Sequence, residues 1–355
     1  MSSDAAVVPF PACPLPLVDT DEVLLGHGSG GRLTAQLVEQ LIVPAFRNPA
    51  LETLDDAALV DAVGDGRRIA FTTDSYVITP IFFRGGDIGE LAVNGTINDL
   101  AVSGARPLAL SLAFILEEGL PLADLRRVIE SARAAAARAG VPIVTGDTKV
   151  VGRGSADRLF INTSGIGVVP AGRRIGAAEV RAGDAIVVSG TIGDHGVAIL
   201  SERHGLELDG ELCSDTAPLH ELAAIALAAA PHLHAMRDPT RGGLAATLVE
   251  IASRRGLAVT IDERALPVSD SVRGACEILG LDPLFVANEG KLAAFVPAAE
   301  ADALVAALRA HPLGRNAARI GEVAAAPAGL VTVATTIGGE RIVELPFAEM
   351  LPRIC

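Results

Sequence analysis

Apolar residues recur along the first half of the chain in short runs that alternate with longer helical periods. Between residues 50 and 170 the pattern predicts five strands and two helices. The strands are at Leu59–Val63, Arg68–Thr73, Leu108–Leu116, Pro142–Val144 and Leu159–Val169, and the helices are at Ile88–Ser103 and Leu122–Ala139. Strands and helices mixed in this order are typical of an α+β domain.

A second unit follows a segment rich in Pro, Gly and Arg at residues 170–184. Its pattern predicts a buried strand that runs into a glycine turn and a helix at Asp184–Gly196, helices near 217–230, 242–255 and 299–310, strands near 257–261 and 292–296, and a last strand at Gly329–Thr335. We therefore divide the chain into an arm with a Gly-rich loop at 1–45, an N-terminal domain at 46–170, a C-terminal α/β domain at 171–330, and a last strand with a mobile tail at 331–355.

Composition narrows the possible classes of protein. The chain has 355 residues, 50% of them hydrophobic and 20% charged, which predicts a compact protein. A net charge of −14 argues against binding to nucleic acid or to an anionic membrane. The longest apolar run, Leu222–Ala230, is far shorter than the roughly 20 residues of a membrane-spanning helix. The first residues lack a secretory pattern and the four cysteines form no CxxC pair, so we expect a cytoplasmic protein without structural zinc or disulfides.

A glycine-rich segment in the arm is a candidate phosphate cradle. Gly28, Gly30 and Gly31 precede an amphipathic stretch at Leu33–Val43, and backbone N–H groups at the start of a helix attract anions. The spacing fits GxGxxG, but no strand leads into it as in a Rossmann domain, and Arg32 and Leu33 stand where a Walker A loop has Lys and Ser or Thr. A flexible loop is the alternative interpretation.

Aspartates recur at turns and predicted element ends of the first domain. They are Asp55, Asp56, Asp74, Asp99 and Asp147. Such hard, anionic oxygen ligands suit Mg²⁺ that arrives with nucleotide phosphates. Each one alone also fits a turn or a helix cap.

Two asparagines in one predicted helix and the two lysines of the chain are further candidate site residues. Asn94 and Asn98 lie four residues apart on one face of an otherwise apolar helix, where they face a ligand or cap a neighbouring loop. Only two of the 29 basic residues are lysines, Lys149 and Lys291, and each follows an acidic residue closely. A lysine suits phosphate contact or proton transfer, whereas chance retention in an Arg-rich sequence is the alternative.

The second half offers two helix starts and a terminal thiol. The segment Met236–Leu244, which contains Asp238, leads into a helix whose N-terminus would attract anions. His195 stands at another helix start, as a cap or as an acid or base. Cys355 is the last residue of the sequence, and the ten residues from Pro346 can extend roughly 33 to 36 Å, far enough to move a thiol between sites.

Six segments together resemble the HypE family of hydrogenase maturation proteins, within the superfamily of aminoimidazole ribonucleotide synthetase and selenophosphate synthetase. They occur in the family's order at Thr72–Leu108, Val144–Val151, Gly183–Gly196, Met236–Ala252, Asp282–Phe295 and Pro352–Cys355. The resemblance runs from about Gly26 to Cys355; residues 1–18 extend beyond it and have no functional interpretation.

The resemblance implies a two-domain α/β fold of the aminoimidazole ribonucleotide synthetase type, whose N-terminal domain binds ATP and dimerises through its sheet. It also implies ATP-dependent dehydration of a carbamoyl group on the C-terminal cysteine to a thiocyanate. The partner HypF would deliver the carbamoyl group, and the HypC–HypD complex would accept the cyanide for the iron of [NiFe]-hydrogenase.

Residue by residue, the resemblance makes Cys355 the carrier and places Lys149 and Glu289 at the reacting group. Mg²⁺ would be held by Asp55, Asp56, Asp74, Asp99, Asp147 and Asp238. ATP would contact Gly28, Gly30, Gly31, Asp56, Asp74, Asn98, Asp99 and Asp147.

The chemistry indicates a mechanism for that reaction. An amide oxygen leaves poorly, so phosphorylation by ATP would first make it a phosphate leaving group. A carboxylate in a dry pocket would then take an N–H proton, and we assign this to Glu289, with Lys149 or His195 as alternatives. Two other functions stay open: selenophosphate synthesis or purine-ring closure on the same scaffold, and a nucleotide-switched assembly protein. The terminal thiol disfavours the first, because those enzymes act on diffusible substrates.

Overall fold

The computed structural model describes residues 31–61, 66–205, 212–346 and 353–355. Gly28 and Gly30 of the predicted phosphate cradle lie outside these ranges. None of the helices in these ranges is long and apolar enough to span a membrane.

The first half builds a five-stranded sheet covered on one face by two helices. Its elements are α1 (Arg32–Leu37), α2 (Val43–Phe46), β1 (Ala58–Asp61), β2 (Arg68–Tyr76), β3 (Phe82–Phe83), β4 (Gly86–Asp87), α3 (Ile88–Val102), β5 (Arg106–Glu117), α4 (Leu122–Ala139), β6 (Ile143–Val151) and β7 (Leu159–Val169). The strand order is β1-β2-β7-β5-β6, antiparallel except for the parallel pair β5–β6.

The helix α3 is buried on all sides because it lies between the sheet, α4 and the second half of the chain. Its N-terminus is capped by Asp87, whose carboxylate accepts hydrogen bonds from the N–H groups of Gly89 and Glu90. At its other end, Ala101 and Val102 join the core of the second half. α3 therefore connects the two halves.

The second half builds a seven-stranded sheet with helices on both faces. Its elements are β8 (Asp184–Val188), α5 (Asp194–His204), α6 (His220–Ala229), β9 (Ala235–Arg237), α7 (Gly243–Arg255), β10 (Ala258–Asp262), α8 (Asp270–Leu279), β11 (Ala293–Pro297), α9 (Ala301–Arg309), β12 (Ala318–Ala324), β13 (Val331–Ala334) and β14 (Glu340–Ile342). The strand order is β14-β13-β10-β12-β8-β11-β9. α7 packs on one face, and α6 and α9 pack on the other.

A third apolar cluster joins the two halves and includes the tail. Tyr76 and Ile161 of the first sheet meet Val197 of α5 and Val286, and the fully buried Ile354 of the tail belongs to the same cluster. The residue before Cys355 is thus part of the core.

The sequence patterns predicted most of these elements and misplaced some. β2 extends to Tyr76 and β6 extends to Val151, so Asp74 and Asp147 lie within strands rather than after them. The elements α8, β9, β12 and β14 were not predicted. β6 is an edge strand exposed over most of its length, so it lacks the apolar alternation that marks a strand.

Candidate active site

Three carboxylates from separate parts of the chain meet between the two halves of the molecule. Asp56 precedes β1, Asp99 lies in the last turn of α3, and Asp238 follows β9. One oxygen from each lies within 4.8 Å of the others. An aspartate near the C-terminus of a helix is unfavourable to the helix dipole. The position of Asp99 therefore indicates a function rather than a contribution to helix stability.

The surroundings of this carboxylate trio leave negative charge uncompensated. The Arg237 Nε atom lies 2.7 Å from Asp56 Oδ2, and the Thr72 hydroxyl donates to Asp99 Oδ2 at 2.6 Å. Burial raises the pKa of Asp238 to about 8, aided by the nearby Asp56, and raises the pKa of Asp56 to about 6 despite Arg237. Clustered oxygen ligands with excess negative charge fit a divalent cation of the Mg²⁺ type.

Asp74 extends the acidic region along β2. Tyr76 donates to its Oδ2 at 3.2 Å. Burial raises the pKa of Asp99 well above its usual range, with Asp74 as the largest charged contributor. The carboxylate of Asp74 therefore lies close to the trio.

Glu289 lies nearby in a buried loop before β11. Among the residues that the structure describes, its Oε1 atom is buried without a hydrogen-bond partner. Burial, followed by the charges of Asp215, Asp238 and Asp74, raises the pKa of Glu289 well above its usual range. A buried carboxyl with an unsatisfied oxygen and a raised pKa is suited to exchange a proton with a bound group.

The thiol of Cys355 occupies the same region. Arg241 donates from Nε to Cys355 Sγ at 3.3 Å. Burial raises the pKa of the thiol to about 11, against the lowering effect of Arg241 and with a further increase from Glu289. The tail thus presents a neutral thiol close to both Arg241 and Glu289.

The tail is held by hydrogen bonds from both halves of the chain. The Val77 N–H donates to the main-chain oxygen of Cys355 at 3.1 Å, and the Thr79 N–H donates to the Arg353 carbonyl at 3.3 Å. Arg203 also donates to the Arg353 carbonyl. The side chain of Arg353 forms an ion pair with Asp157 at 2.9 Å. These bonds fix the depth at which the tail inserts.

His195 holds the tail from the C-terminal half. Its Nε2 lies 2.7 Å from the Ile354 carbonyl and its Nδ1 lies 2.8 Å from Ser214 Oγ. Because a carbonyl only accepts, Nε2 carries the proton and Nδ1 accepts from Ser214. Burial lowers the pKa of His195, which keeps the ring neutral. The two ring nitrogens are thereby occupied in positioning the tail.

The structure separates the sequence-predicted residues into two groups. It brings together Asp56, Asp74, Asp99, Asp238, Glu289 and Cys355. Asp55 is near enough to raise the pKa of Asp56, but its Oδ1 accepts from the Ala177 N–H at 3.1 Å. Asp147 and Lys149 pair with each other at 2.7 Å on the exposed β6. Gly31 precedes α1.

Asn98 contacts neighbouring loops, which is one of the two roles predicted for it, and its contact with nucleotide stays a prediction. Its Oδ1 accepts from the Leu219 N–H at 2.7 Å, and its Nδ2 donates to the carbonyls of Ala217 and Glu289 at 3.1 and 3.2 Å. The amide of Asn98 is committed to backbone atoms, so it links α3 to the loops of the second half.

The sequence analysis missed Arg241 and assigned no role to Arg237. Both lie in the segment Met236–Leu244, which was singled out for its helix N-terminus. The sequence feature that could have identified these two arginines is the high density of charged residues in Arg237–Arg241, between a strand and a helix. Sequence spacing gave no indication that one end of the segment contacts Asp56 and the other contacts Cys355.

Comparisons with known proteins agree with this geometry. Residues 54–169 match the N-terminal domain model of AIR synthase related proteins, and residues 181–334 match the C-terminal domain model. Carbamoyl dehydratase HypE of Cupriavidus necator is 56% identical over 338 residues, which cover 95% of this chain and 96% of that protein. The same enzyme of Escherichia coli K12 is 51% identical and is covered completely.

Solved structures extend the comparison. A HypE–HypF complex contains a chain that is 45% identical with a TM-score of 0.82, covering 87% of this chain and 99% of that one. A structure of hydrogenase maturation protein HypE in complex with ATP is 50% identical with a TM-score of 0.78, covering 94% of this chain and 100% of that one. By sequence over nearly its whole length and by fold, the chain belongs to the AIR synthase related family and, within it, to the HypE family of carbamoyl dehydratases.

Proposed function

We propose that this protein uses ATP to dehydrate a carbamoyl group carried on Cys355 to a thiocyanate. The observation that carries the proposal is the insertion of the Cys355 thiol between the domains, in contact with Arg241 and close to Glu289. A thiol held there serves as a carrier of the reacting group, because selenophosphate synthesis and purine-ring closure on this scaffold need no residue from the enzyme's own tail.

The reaction balances as follows. The carbamoyl oxygen forms a bond to the γ-phosphorus while the bond to ADP breaks. Two N–H bonds and the C–O bond then break, which gives the thiocyanate, ADP, inorganic phosphate and one proton. We assign the acceptance of an N–H proton to Glu289, and its buried Oε1, which has no hydrogen-bond partner among the described residues, supports that assignment.

The carboxylate trio of Asp56, Asp99 and Asp238, with Asp74 beside it, would hold Mg²⁺. When bound, the cation supplies charge neutralisation for ATP phosphates and for these carboxylates. Neutralising Asp74 and Asp238 removes two charges that raise the pKa of Glu289, which brings this carboxyl closer to a working base. We retain Asp55, Asp147, Lys149 and Gly31 as predicted contacts only.

A homodimer is supported by the uncovered face of the five-stranded sheet. Large apolar side chains project from it into solvent, among them Ile69, Phe71, Ile115 and Ile166. An exposed apolar sheet face of this kind marks a protein interface. Lys149 pairs in register with Ile115, so Asp147 and Lys149 lie at the edge of this face and would reach the second copy.

The partners follow from the same chemistry. A HypF protein would load the thiol, as the complex of a 45% identical HypE indicates, and a HypC–HypD complex would accept the cyanide. Loading needs an accessible thiolate, whereas the docked cysteine is partly buried and the pKa of its thiol is raised. The tail would therefore undock for loading and for delivery, in the cytoplasm predicted from the sequence.

Intact-mass analysis tests the proposal directly. After incubation with HypF, carbamoyl phosphate and Mg-ATP, the wild type should gain a carbamoyl group and then lose the mass of one water. Cys355→Ala should gain neither modification while keeping its fold and ATP binding. The exposed Cys213 supplies a matched control, because Cys213→Ala should behave as the wild type.

An adduct that persists on Cys355→Ala would overturn the carrier assignment. Retained partner binding with no conversion of the carbamoylated wild type would instead favour an assembly protein that is switched by ATP.

A further inference from the structure

The segment Arg237–Arg241 reaches both parts of the site. Arg237 pairs with Asp56, Asp238 joins the carboxylate trio, and Arg241 donates to Cys355 Sγ. The segment is braced by Asn288, whose Nδ2 and N–H both donate to the Pro239 carbonyl, at 2.8 and 3.2 Å. Asn288 is the neighbour of Glu289 in the chain. One residue therefore fixes the loop that carries Arg241 relative to Glu289.

We propose that Arg241 is a further catalytic residue, which binds the oxygen of the carbamoyl group on Cys355 and so turns the amide nitrogen toward Glu289. The inference rests on the proposed dehydration. In addition to that proposal, it assigns to Arg241 the orientation of the carbamoyl group, so that the oxygen is phosphorylated and the nitrogen is deprotonated.

The donor and acceptor properties of the two side chains support one orientation. A guanidinium only donates hydrogen bonds, and a carboxylate must be ionised to take the N–H proton, in which state it only accepts them. A carbamoyl group has an oxygen that accepts and an NH₂ group that donates. The oxygen lies two bonds from Sγ, so a donor that already contacts Sγ reaches it after rotation about the Cβ–Sγ bond. The matched arrangement directs oxygen to Arg241 and nitrogen to Glu289.

This orientation also suits the phosphoryl transfer. The carbamoyl oxygen has two lone pairs, of which one accepts from Arg241 and the other remains to attack the γ-phosphorus. Arg241 is close enough to Asp74 and Glu289 to lower the pKa of both carboxyl groups. Its charge therefore lies beside carboxylates of the site, where it would stabilise the phosphorylated oxygen.

A role in making the thiolate is less consistent with the structure. The contact with Arg241 does not offset burial, because the pKa of the docked thiol is still raised to about 11. The docked thiol is neutral near pH 7. The contribution of Arg241 therefore belongs to the steps after the thiol has been loaded.

The test is a single-turnover experiment with protein whose tail has already been carbamoylated. Arg241→Ala should bind ATP normally and keep the carbamoyl adduct, while conversion to thiocyanate falls by about 10² to 10³, the usual effect of removing one such donor. Added guanidinium ion should recover part of the rate. Arg241→Lys should fall between the two, because it keeps the charge but not the fork geometry. Arg126→Ala, on the exposed side of α4, is the matched control and should react as the wild type.

The outcomes separate this inference from the function on which it rests. If the wild type and Arg126→Ala do not convert the adduct, the proposed function fails. If they convert it and Arg241→Ala does so at the same rate, only the role of Arg241 is overturned. A slow Arg241→Ala that guanidinium does not rescue, with weaker amide protection at Val77, would assign Arg241 to tail docking and also overturn the catalytic role.

Discussion

Glu289 is buried among acidic side chains, and its unfavourable environment is itself informative. Burial and the charges of Asp215, Asp238 and Asp74 raise the pKa of this carboxyl well above the value of 4.5 expected in the unfolded chain. A carboxyl with a raised folded-state pKa stabilises the fold fully below the unfolded pKa, and that contribution is lost as pH rises through the folded value. The wild type therefore carries a stability cost at neutral and alkaline pH.

Glu289→Gln separates this cost from the catalytic role. The amide imitates the protonated acid in size but cannot accept a proton. We expect conversion of the carbamoylated tail to fall by about 10² to 10⁴, the usual range for losing a general base. We also expect the melting temperature to rise relative to the wild type, and the difference to grow from pH 5 to pH 8. Single-turnover mass analysis and calorimetry across pH measure both. Wild-type conversion would move the base to Lys149, because the ring nitrogens of His195 are occupied.

At the scale of elements, α3 shows what periodicity predicts and what it leaves out. Its apolar residues predicted the helix at Ile88–Ser103, and the structure has Ile88–Val102. The sequence does not show whether the two asparagines on its surface face a ligand or cap a neighbouring loop. Only the folded chain shows that the partners of Asn98 are backbone atoms far along the sequence, at Ala217, Leu219 and Glu289.

Asn98→Ala tests this linking role. The substitution leaves one buried N–H and two carbonyls without their partner, so we expect a loss of roughly 2 to 4 kcal/mol in the free energy of unfolding. Urea denaturation measures that loss. ATP affinity of the folded variant should stay within a few-fold of the wild type. An unchanged stability with a large loss of ATP affinity would contradict the linking role and favour the predicted nucleotide contact.

Because the sequence does not show which residues meet in the folded chain, the predicted site residues also differ from the observed ones at other positions. Asp55 and Asp56 are adjacent and chemically identical, but Asp55 accepts from the Ala177 backbone while Asp56 joins the carboxylate trio. The direction of each side chain is set by the backbone turn before β1. Arg241 was missed because its partner lies 114 residues away at the end of the chain. The residue types predicted the chemistry of the site. Tertiary contacts determine which of several residues of the same type take part in it.

At the scale of the whole molecule, the docked tail joins both domains, and one titrating group of the tail itself sets the pH dependence of docking. His195 donates to the Ile354 carbonyl; burial and Arg203 lower the pKa of this ring, whereas Asp215 and the hydrogen bond to Ile354 raise it. Because a protonated ring also donates from Nε2, this contact does not make docking decline at acid pH. The Cys355 thiol has its pKa raised from 9.0 to about 11, so docking is lost as pH rises above 9.0.

The raised pKa of the thiol predicts that docking is favoured below pH 9.0 and declines above it. The N–H groups of Val77 and Thr79 donate to main-chain oxygens of the tail, so their hydrogen-exchange protection, corrected for the intrinsic rate, reports the docked population. Protection should be greatest below this pH and decline above it. Cys355→Ser should remove the alkaline decline, because it removes the titrating thiol, whereas His195→Gln should retain it. If the decline persisted unchanged in Cys355→Ser, titration of another group would release the tail, and the role assigned to the thiol would be wrong.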